Sequence, residues 1–468
     1  MIYKLLSLIV GVAAIMSGVF LLYLTQRTQE KPSTINRNKW WGIGSKPRQQ
    51  DTFVKEFNID FSDTLVNDLK QRLRNRRPFT KPLSGIQSEY GMNTKYLEKI
   101  ITYWLERYDF KQRAEMLNSF SHYKTRIQGL DLHFIWEKPV VKDPRIKVLP
   151  LLMLHGWPSS SKEFVKVIPY LTTQREGYDF VFEVVAADLP GFGYSEGTKK
   201  PGLNPVQIGI MMRNLMKRLG FEKFYVQAGD WGSQCATHMA TLYPDEVLGF
   251  HTNMPISSRR ITLAKILIGS IFPGLVVEAK YKDRIYPLGK LLKYIIREGG
   301  YFLIQATKPD TIGVALTDSP AGLAAYIIEK MGMCCNRDQI NTPHSGIENL
   351  NIDDVLDTIT ITWMNNCIVT SSRIYYEAMN SDEVYIVHEM QTQVPTAVVN
   401  YKYEVLYQSD SMLRDKFINL VRSTTHDIGG HFAALHTPQL FVEDLFASGR
   451  AFLNFHAQRA QQKRRFLF

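Results

Sequence analysis

The fold of this chain is decided by residues 225–236, YVQAGDWGSQCA. The stretch begins as an apolar, β-branched strand and ends as a helix of small residues. Ala228 and Gly232 lie two positions before and two positions after Asp230, where a bulky Cβ would clash with a tightened backbone. The pattern therefore predicts a sharp strand-to-helix turn that holds the Asp230 side chain exposed above a sheet.

That turn is the nucleophile elbow of α/β-hydrolases, here with aspartate at its apex instead of serine or cysteine. A carboxylate that attacks a saturated carbon forms an ester, and water can then cleave this ester at its carbonyl. A serine making the same attack would leave an inert ether. Asp230 therefore indicates displacement at an sp3 carbon, as in epoxide opening or carbon–halogen cleavage. The structural alternative, on this turn alone, is an N-cap aspartate that opens an ordinary helix.

The composition is that of an ordinary globular protein, since the 468 residues are 45% hydrophobic and 22% charged. Four cysteines without ligand spacing favour a reducing environment over a disulfide framework or a metal motif. The formal net charge is +11, but no nucleic-acid motif accompanies the basic runs at residues 72–77 and 463–465. We therefore predict no nucleic-acid partner. We expect the run at 463–465 to be a solvated tail and the excess charge to suit anionic lipid head groups.

Residues 5–24 form an uncharged run that is long enough to cross a bilayer. A secretory signal would have a shorter apolar core and a small-residue cleavage site, which this stretch does not offer. The basic residues Arg27, Lys31, Arg37 and Lys39 follow the run, so the positive-inside rule puts the long C-terminal part in the cytoplasm. We expect a single-pass transmembrane anchor over residues 1–24 with a cytoplasmic body.

The rest of the chain reads as an α/β fold with a helical insertion. Strands alternate with helices on both sides of residues 257–388, which indicates a mostly parallel sheet. A helical insertion between two halves of such a sheet is a lid, and we expect ligand binding beneath it at the carboxyl ends of the strands. The predicted parts are a linker over 25–50, an N-terminal helical extension over 51–120, a first core half over 121–256, the lid over 257–388 and a second core half over 389–468.

Nucleophilic catalysis needs a base and a group that orients the base. In the α/β-hydrolase order, both follow the nucleophile in late strand-end loops. Glu404 stands just past a strand predicted over residues 394–399, and His431 follows two glycines after the last strand. The open alternatives are Asp410 and Asp427 for the acid, and His426 and His436 for the base.

The motif HGWP, residues 155–158, occupies the loop after an early core strand. The backbone N–H of Trp157 in this loop can join the N–H of Trp231 to hold an oxyanion. A tight turn packed by the Trp157 ring is a structural interpretation compatible with that role.

Together these stretches resemble the microsomal epoxide hydrolases and, among them, the insect juvenile hormone epoxide hydrolases. The resemblance covers nearly the whole chain, including the predicted anchor. The motifs that carry it are WWG at 40–42, FSHYKT at 120–125, HGWPSS at 155–160, GDWG at 229–232, KPDT at 308–311, DSPAGLAAY at 318–326 and GGHFAA at 429–434.

The resemblance implies an enzyme that adds water to lipophilic epoxides, such as juvenile hormone and related terpenoid or xenobiotic epoxides. Diols then form through a covalent aspartyl ester, without metal or organic cofactor, at the endoplasmic reticulum membrane. By position in the family motifs, Asp230 is similar to the nucleophile, His431 to the water-activating base and Glu404 to the orienting acid. The two lid tyrosines that donate hydrogen bonds to the epoxide oxygen match Tyr301 and Tyr375, and the neighbouring Tyr376 is an open alternative for the second.

Two other functions remain as alternatives. A haloalkane dehalogenase shares an aspartate elbow but would need tryptophan N–H groups in the lid to hold a halide, and Trp363 is the only tryptophan there. A non-catalytic ligand-binding homologue is disfavoured because Asp230, Glu404 and His431 are all intact. Turnover of any epoxide would separate the predicted function from both.

Overall fold

The structure, a computed structural model, describes residues 35–465. The predicted anchor over residues 1–24 lies outside the described residues. Nine strands form one sheet: β1 (Val54–Glu56), β2 (His122–Ile127), β3 (Leu130–Glu137), β4 (Lys147–Leu154), β5 (Phe180–Ala187), β6 (Phe224–Ala228), β7 (Val247–Thr252), β8 (Thr396–Asn400) and β9 (Leu420–Thr425).

The strand order is β1-β2-β3-β5-β4-β6-β7-β8-β9. From β5 to β9 neighbouring strands are parallel, while β1, β2 and β3 form an antiparallel edge that ends against β5. The order reverses around β4, which lies between β5 and β6, so the loops after β4 and β6 diverge and leave a crevice. This architecture confirms the predicted α/β fold with a mostly parallel sheet.

The central strands are apolar because helices cover both faces of the sheet. Strands β6 and β8 are buried at every residue, as expected for parallel strands without a solvent face. The helices before β7 are α1 (Asp63–Arg74), α2 (Thr94–Glu106), α3 (Phe110–Leu117), α4 (Ile168–Leu171), α5 (Pro205–Arg218) and α6 (Asp230–Leu242). Those after β8 are α15 (Asp410–Leu413), α16 (Ala433–His436) and α17 (Pro438–Arg465).

Helices also fill the chain between β7 and β8, where the lid is predicted. They are α7 (Arg260–Gly269), α8 (Leu288–Glu298), α9 (Gly300–Thr307), α10 (Pro309–Asp318), α11 (Pro320–Cys335), α12 (Ile352–Met364), α13 (Ile368–Met379) and α14 (Asp382–Glu389). Within residues 35–465, no single helix is both long and apolar enough to cross a membrane. The pair α10 and α11 meets those two requirements only together, with a bend of 120° between them.

A buried charge cluster fixes α12 to the rest of the molecule. Lys162, in the turn after β4, donates to the backbone carbonyl of Asp354 at 2.7 Å. Arg113 of α3 donates through Nε to Asp357 at 2.8 Å, and Tyr108 donates to the same carboxylate at 2.9 Å. One helix of the insertion is thereby tied to both the core and the N-terminal extension. A buried carboxylate needs such partners, because an unpaired charge would be costly there.

Two elements were missed by the sequence analysis. β1 is a three-residue edge strand in a stretch predicted as mainly helical, and only its pairing with β2 defines it. Residues 463–465, predicted as a solvated tail, form the end of α17, although Lys463 and Arg464 are exposed. The early part of α17 packs its apolar side into the core through Phe441, Leu445 and Phe446.

Candidate active site

Asp230 lies at the turn from β6 into α6, with a backbone φ of +46°. Left-handed backbone is uncommon for a residue other than glycine and is found where structure forces it, often at functional sites. The N-cap of α6 is Gly229, in an extended conformation, so the alternative that Asp230 is an ordinary N-cap is wrong. A Cβ added at Gly232 would lie 2.4 Å from the carbonyl oxygen of His155, which explains the small residue there.

The loop after β4 holds one oxygen of the Asp230 carboxylate. The backbone N–H of Trp157 donates to Oδ1 of Asp230 at 2.7 Å. A Cβ at Gly156 would lie 2.0 Å from the same oxygen, so only glycine allows this approach. Trp231 occupies the first turn of α6, where backbone N–H groups have no intrahelical acceptor. The structure thus places the backbone N–H of Trp157 on the carboxylate, and Trp231 directly follows Asp230 in α6.

On the other side of Asp230, His431 and Glu404 form a buried pair. Nε2 of His431 is 3.4 Å from Oδ2 of Asp230, and its Nδ1 is 2.6 Å from Oε1 of Glu404. Burial acts to lower the pKa of His431, but the charges of Glu404 and Asp230 outweigh it and raise this pKa well above its ordinary value. The three side chains therefore have the arrangement expected of a nucleophile, a base and an acid that orients the base.

Loops from different parts of the chain fix this pair. The backbone N–H of Val405 donates to Oε1 of Glu404 at 2.7 Å. The backbone N–H of His431 donates to the carbonyl of Cys334 in α11 at 3.0 Å. The backbone carbonyl of His431 accepts from the side-chain amide of Asn253 at 3.2 Å. The base is therefore positioned by the predicted lid as well as by the core.

The alternatives for acid and base lie elsewhere. His426 stacks on Tyr401 at 5.5 Å between ring centroids, and His436 belongs to α16. Asp410 accepts from Ser423 at 2.6 Å, while the side chain of Asp427 is 96% exposed. Within residues 35–465, none of these four side chains makes a hydrogen bond to Asp230.

Two tyrosines of the insertion face the elbow. Tyr301 in α9 stacks on Trp157 at 5.6 Å between ring centroids, and Tyr375 in α13 meets the edge of Trp231 at 4.8 Å. Their own rings are 6.0 Å apart. Burial raises the pKa of both phenols well above the ordinary value, so both stay protonated as hydrogen-bond donors. Tyr376 is 43% exposed and lines a separate surface cavity of about 460 Å³, so Tyr375 is the residue at the elbow.

A buried network that sequence reasoning did not single out supports the loop after β4. Oδ1 of Asp188 accepts from the backbone N–H of Ser161 at 2.6 Å, and Oδ2 lies 2.7 Å from Nδ1 of His133. His133 Nε2 lies 2.9 Å from Nδ1 of His122, whose Nε2 lies 2.9 Å from the carbonyl oxygen of Leu117. The only signal in the sequence was a carboxylate directly after a buried strand.

The hydrogen bonds of this network determine which ring nitrogens donate and which accept. The Leu117 carbonyl can only accept, so Nε2 of His122 donates to it. Burial lowers the pKa of His122 to about 4, so this ring is neutral and its Nδ1 accepts from His133. His133 therefore donates through Nε2 to His122, and its Nδ1 faces Asp188. The neighbouring His133 is among the groups that keep the pKa of Asp188 well below its usual range, against the opposing effect of burial.

Glu163 is a second buried carboxyl near the site that the sequence did not reveal. It lies in the short 3-10 turn Ser161–Phe164 that follows the loop after β4. Burial raises its pKa to about 7, and the charges of His431 and Asp230 act on it in opposite directions. Glu163 therefore titrates within the electric field of the candidate catalytic residues.

Neither a metal cluster nor a tryptophan from α12 is found at this site in the described chain. Residues 35–465 contain no group of three or more His, Cys, Asp or Glu that could hold a metal ion. Trp363 lies under Arg72 instead, and Cζ of the Arg72 guanidinium is 5.9 Å from the centroid of the Trp363 ring. The indole N–H of Trp157, in contrast, is buried and has no hydrogen-bond acceptor among the described residues.

Comparisons with known proteins agree with this geometry. Residues 54–164 match the family described as epoxide hydrolase N terminus, and residues 150–274 match the alpha/beta hydrolase fold. The chain is 66% identical to the juvenile hormone epoxide hydrolase of Manduca sexta over 98% of this chain and 99% of that protein. It is 38% identical to epoxide hydrolase 1 of Oryctolagus cuniculus, over 91% of this chain and 95% of the relative.

A solved structure is similar over nearly the same span. The crystal structure of juvenile hormone epoxide hydrolase from the silkworm Bombyx mori superposes with a TM-score of 0.88 at 40% identity, covering 90% of this chain and all of that one (100%). Similarity of sequence over the full length, an aspartate elbow and a matching fold have one common explanation. The chain belongs to the microsomal-type epoxide hydrolase family and is an epoxide hydrolase.

Proposed function

We propose that this enzyme opens the epoxide of juvenile hormone and related lipophilic terpenoids through a covalent ester on Asp230. One observation carries the mechanism: Trp157 holds Oδ1 of Asp230, while Oδ2 faces Nε2 of His431 at 3.4 Å. The 66% identity to the juvenile hormone epoxide hydrolase of Manduca sexta supports the choice of substrate.

In the first half of the reaction, Oδ2 of Asp230 attacks an epoxide carbon and the carbon–oxygen bond on that carbon breaks. The oxygen that leaves acquires negative charge and stays attached to the neighbouring carbon. Tyr301 and Tyr375 donate hydrogen bonds to this oxygen and supply its proton. Such donors act most strongly when they are already in place before the charge develops, and both rings are packed against the elbow tryptophans.

In the second half, Nε2 of His431 takes a proton from water as the water oxygen attacks Cγ of Asp230. The negative charge that forms on Oδ1 is stabilised by the N–H of Trp157 and by that of Trp231. Glu404 stabilises the imidazolium of His431. When the tetrahedral intermediate collapses, the diol oxygen leaves with the proton from His431, and Asp230 is left as a carboxylic acid. The proton of this acid returns to the tyrosinate that formed in the first half, which restores both the Asp230 carboxylate and the phenol.

A single turnover in isotopically labelled water, with enzyme in excess over epoxide, tests the covalent route. The first diol should be unlabelled, because its new oxygen comes from Oδ2, and the label should appear in Asp230. Repeated turnovers should then give labelled diol. Label in the first diol would mean that water attacks the epoxide directly and that Asp230 only orients it.

A panel of epoxides tests the proposed substrate. The ratio kcat/KM should be higher for a terpenoid ester epoxide than for small aromatic epoxides, because it measures transition-state stabilisation for each competing substrate. A preference for the aromatic compounds would assign the enzyme to xenobiotic epoxides instead and leave the covalent mechanism unaffected.

Carbon–halogen cleavage is a second candidate activity at the same aspartate. It is favoured by the buried indole N–H of Trp157 beside the elbow, which has no acceptor among the described residues and is available to donate to a departing halide. Release of halide from a primary haloalkane, measured beside epoxide turnover, tests it. No halide release by an enzyme that is active on epoxides would exclude this activity.

The location of the enzyme is also a proposal. The uncharged run over residues 5–24 and the basic residues behind it support a single-pass anchor in the endoplasmic reticulum membrane, with the catalytic body in the cytoplasm.

A further inference from the structure

The first helix of the insertion exposes an apolar surface that the catalytic mechanism does not use. We define the apolar lid face as six side chains of α7 and the segment after it, each at least half exposed: Leu263, Leu267, Ile268, Ile271, Phe272 and Leu275. The only charged residue within 261–275 is Lys265, whose amine pairs with Asp415 at 2.6 Å. Contiguous apolar surfaces of this kind mark interaction sites rather than ordinary solvent-exposed surface.

The inner side of the same helix is already packed. Ile266 and the buried Gly269 face a small second core that includes Val276 and Tyr286. A Cβ at Gly269 would lie 1.9 Å from the hydroxyl oxygen of Tyr286, which itself donates to the carbonyl of Ile266 at 3.0 Å. The helix is therefore held by the face that carries Ile266 and Gly269, while the six side chains of the apolar lid face are at least half exposed.

Helix α8 packs on the same small core and carries positive charge. It starts at Leu288 on the same small core and exposes three further apolar side chains: Leu292, Ile295 and Ile296. Residues 276–298 contain six basic residues against three acidic ones. Of the basic residues, Lys290, Lys293 and Arg297 are exposed on α8 itself. An amphipathic helix with an apolar face and basic flanks is typical of segments that lie in the interface of an anionic membrane.

The apolar lid face also starts close to the point where the chain arrives from the predicted anchor. Lys39, near the start of the described chain, pairs with Glu383 of α14 at 2.8 Å. The backbone N–H of Arg260, at the start of α7, donates to Glu389 of the same helix at 3.1 Å. Six residues of α-helix span about 9 Å. Lys39 and the start of α7 therefore contact the same short helix.

We propose that the apolar lid face is a second membrane contact, which lies in the head-group region of a bilayer that contains anionic phospholipid. The six side chains enter the boundary between head groups and acyl chains, and the cations of α8 meet the phosphates. Helix α9, which carries Tyr301, follows α8 directly. If the proposed substrate is correct, the lid that covers the active site thus lies where lipophilic epoxides partition; the membrane contact itself does not depend on that substrate.

The test uses the full-length chain reconstituted into vesicles of phosphatidylcholine and phosphatidylserine. All four native cysteines are buried, so the thiol of Phe272→Cys can be labelled selectively with an environment-sensitive fluorophore. The matched control is Val140→Cys, because Val140 is an apolar residue that is 88% exposed. It lies in the loop between β3 and β4, at the amino ends of the parallel strands, whereas the insertion follows the carboxyl end of β7. Epoxide turnover by each labelled protein verifies that it is folded.

The label at residue 272 should shift to shorter emission wavelengths and should be quenched by nitroxide-bearing lipid but not by aqueous iodide. The label at residue 140 should show the reverse. Without phosphatidylserine, lipid quenching at residue 272 should fall, and an unchanged signal would refute the role of the basic flank. A label at residue 272 that behaves like the one at 140 would overturn the proposal. Shielding of residue 272 from both quenchers would overturn it too, since protein then covers the face.

Discussion

The backbone N–H of Trp157 donates a 2.7 Å hydrogen bond to Oδ1 of Asp230, so the two oxygens of this carboxylate are not equivalent. Oδ1 is held where the oxyanion of ester hydrolysis would form, and Oδ2 faces His431. The hydrogen bond exists because Gly156 allows the loop after β4 to approach the elbow.

Replacing Gly156 by alanine should therefore abolish most ester formation. The new Cβ would lie 2.0 Å from Oδ1, so the carboxylate or the loop must move and the Trp157 contact is lost. Displacement of the carboxylate impairs its attack on the epoxide, and loss of the donor also slows ester hydrolysis, where the oxyanion forms, typically by on the order of a hundredfold or more. Rapid-quench measurement of ester formation checks this. Gly289→Ala is the control, since no atom lies within 4 Å of that Cβ; a normal burst in Gly156→Ala would contradict the prediction.

His431→Gln should trap the ester. The substitution leaves Asp230 able to attack but removes the base that activates water, so a species with the mass of enzyme plus substrate should accumulate. Intact-protein mass spectrometry detects it. Asp230→Ala should give no adduct, and His436→Gln should turn over normally because His436 lies in α16 and makes no hydrogen bond to Asp230. An absence of adduct in folded His431→Gln would argue against separate roles for the two residues.

Tyr301→Phe and Tyr375→Phe should each slow epoxide opening by roughly a hundredfold, since each removes a donor to the leaving oxygen. The double variant should be nearly inactive. Stopped-flow measurement of ester formation distinguishes this step from hydrolysis. Tyr376→Phe is the matched control, because this neighbouring ring is 43% exposed and faces away from the elbow. A slow Tyr376→Phe with a normal Tyr375→Phe would shift the role by one residue.

The pKa of His431 should fall when the ester forms. Burial lowers this pKa, while the charges of Glu404 and then Asp230 raise it, and esterification removes the charge of Asp230. Hydrolysis needs the neutral imidazole, so its rate should rise with pH through the lowered pKa, and ester should accumulate at acidic pH. Single-turnover rates across pH test this. Ester hydrolysis that speeds up as the pH falls would refute it.

Glu163→Gln should shift that pH profile. Burial raises the pKa of Glu163 to about 7, and its carboxylate, once ionised, favours the protonated form of His431. Removing this charge should lower the pKa of His431 during ester hydrolysis, with kcat kept at high pH. A profile that does not move would show that Glu163 has only a packing role.

Asp188→Asn should destabilise the fold by about 3–5 kcal/mol at neutral pH, because it breaks the buried Asp188–His133 pair. The pKa of Asp188 is depressed in the folded state, so its contribution is present above the unfolded pKa of about 3.9 and is lost as the pH falls towards the folded value. Urea unfolding at several pH values measures both effects. Asp143→Asn, at an exposed Asp143–Arg145 pair, should behave like the wild type.

Protease added outside sealed microsomes should digest the catalytic body, because the basic residues after the run over 5–24 predict a cytoplasmic orientation. Immunoblotting with and without detergent checks this. Protection of the body until detergent is added would reverse the orientation.

The succession of strands and helices in the core was predictable because each element is indicated by residues that are close together in the chain. Buried parallel strands appear in the sequence as short apolar runs, and the early core strand predicted before the HGWP motif is β4, which ends at Leu154. Asp230 could be singled out for the same reason, since the residues that allow a tight turn are its near neighbours in the chain. The edge strand β1 gave no such signal, because Val-Lys-Glu becomes a strand only through hydrogen bonds to β2.

The sequence by itself determined the elbow, its aspartate chemistry and the family to which the chain is similar. Only the tertiary structure decided between Tyr375 and Tyr376, because adjacent residues of one helix point about 100° apart and packing selects the inward one. It likewise brought Glu163 and the Asp188–His133 pair to the loop after β4. These contacts join residues that are far apart in the chain, and burial, which sets their charge states, is a property of the folded molecule alone.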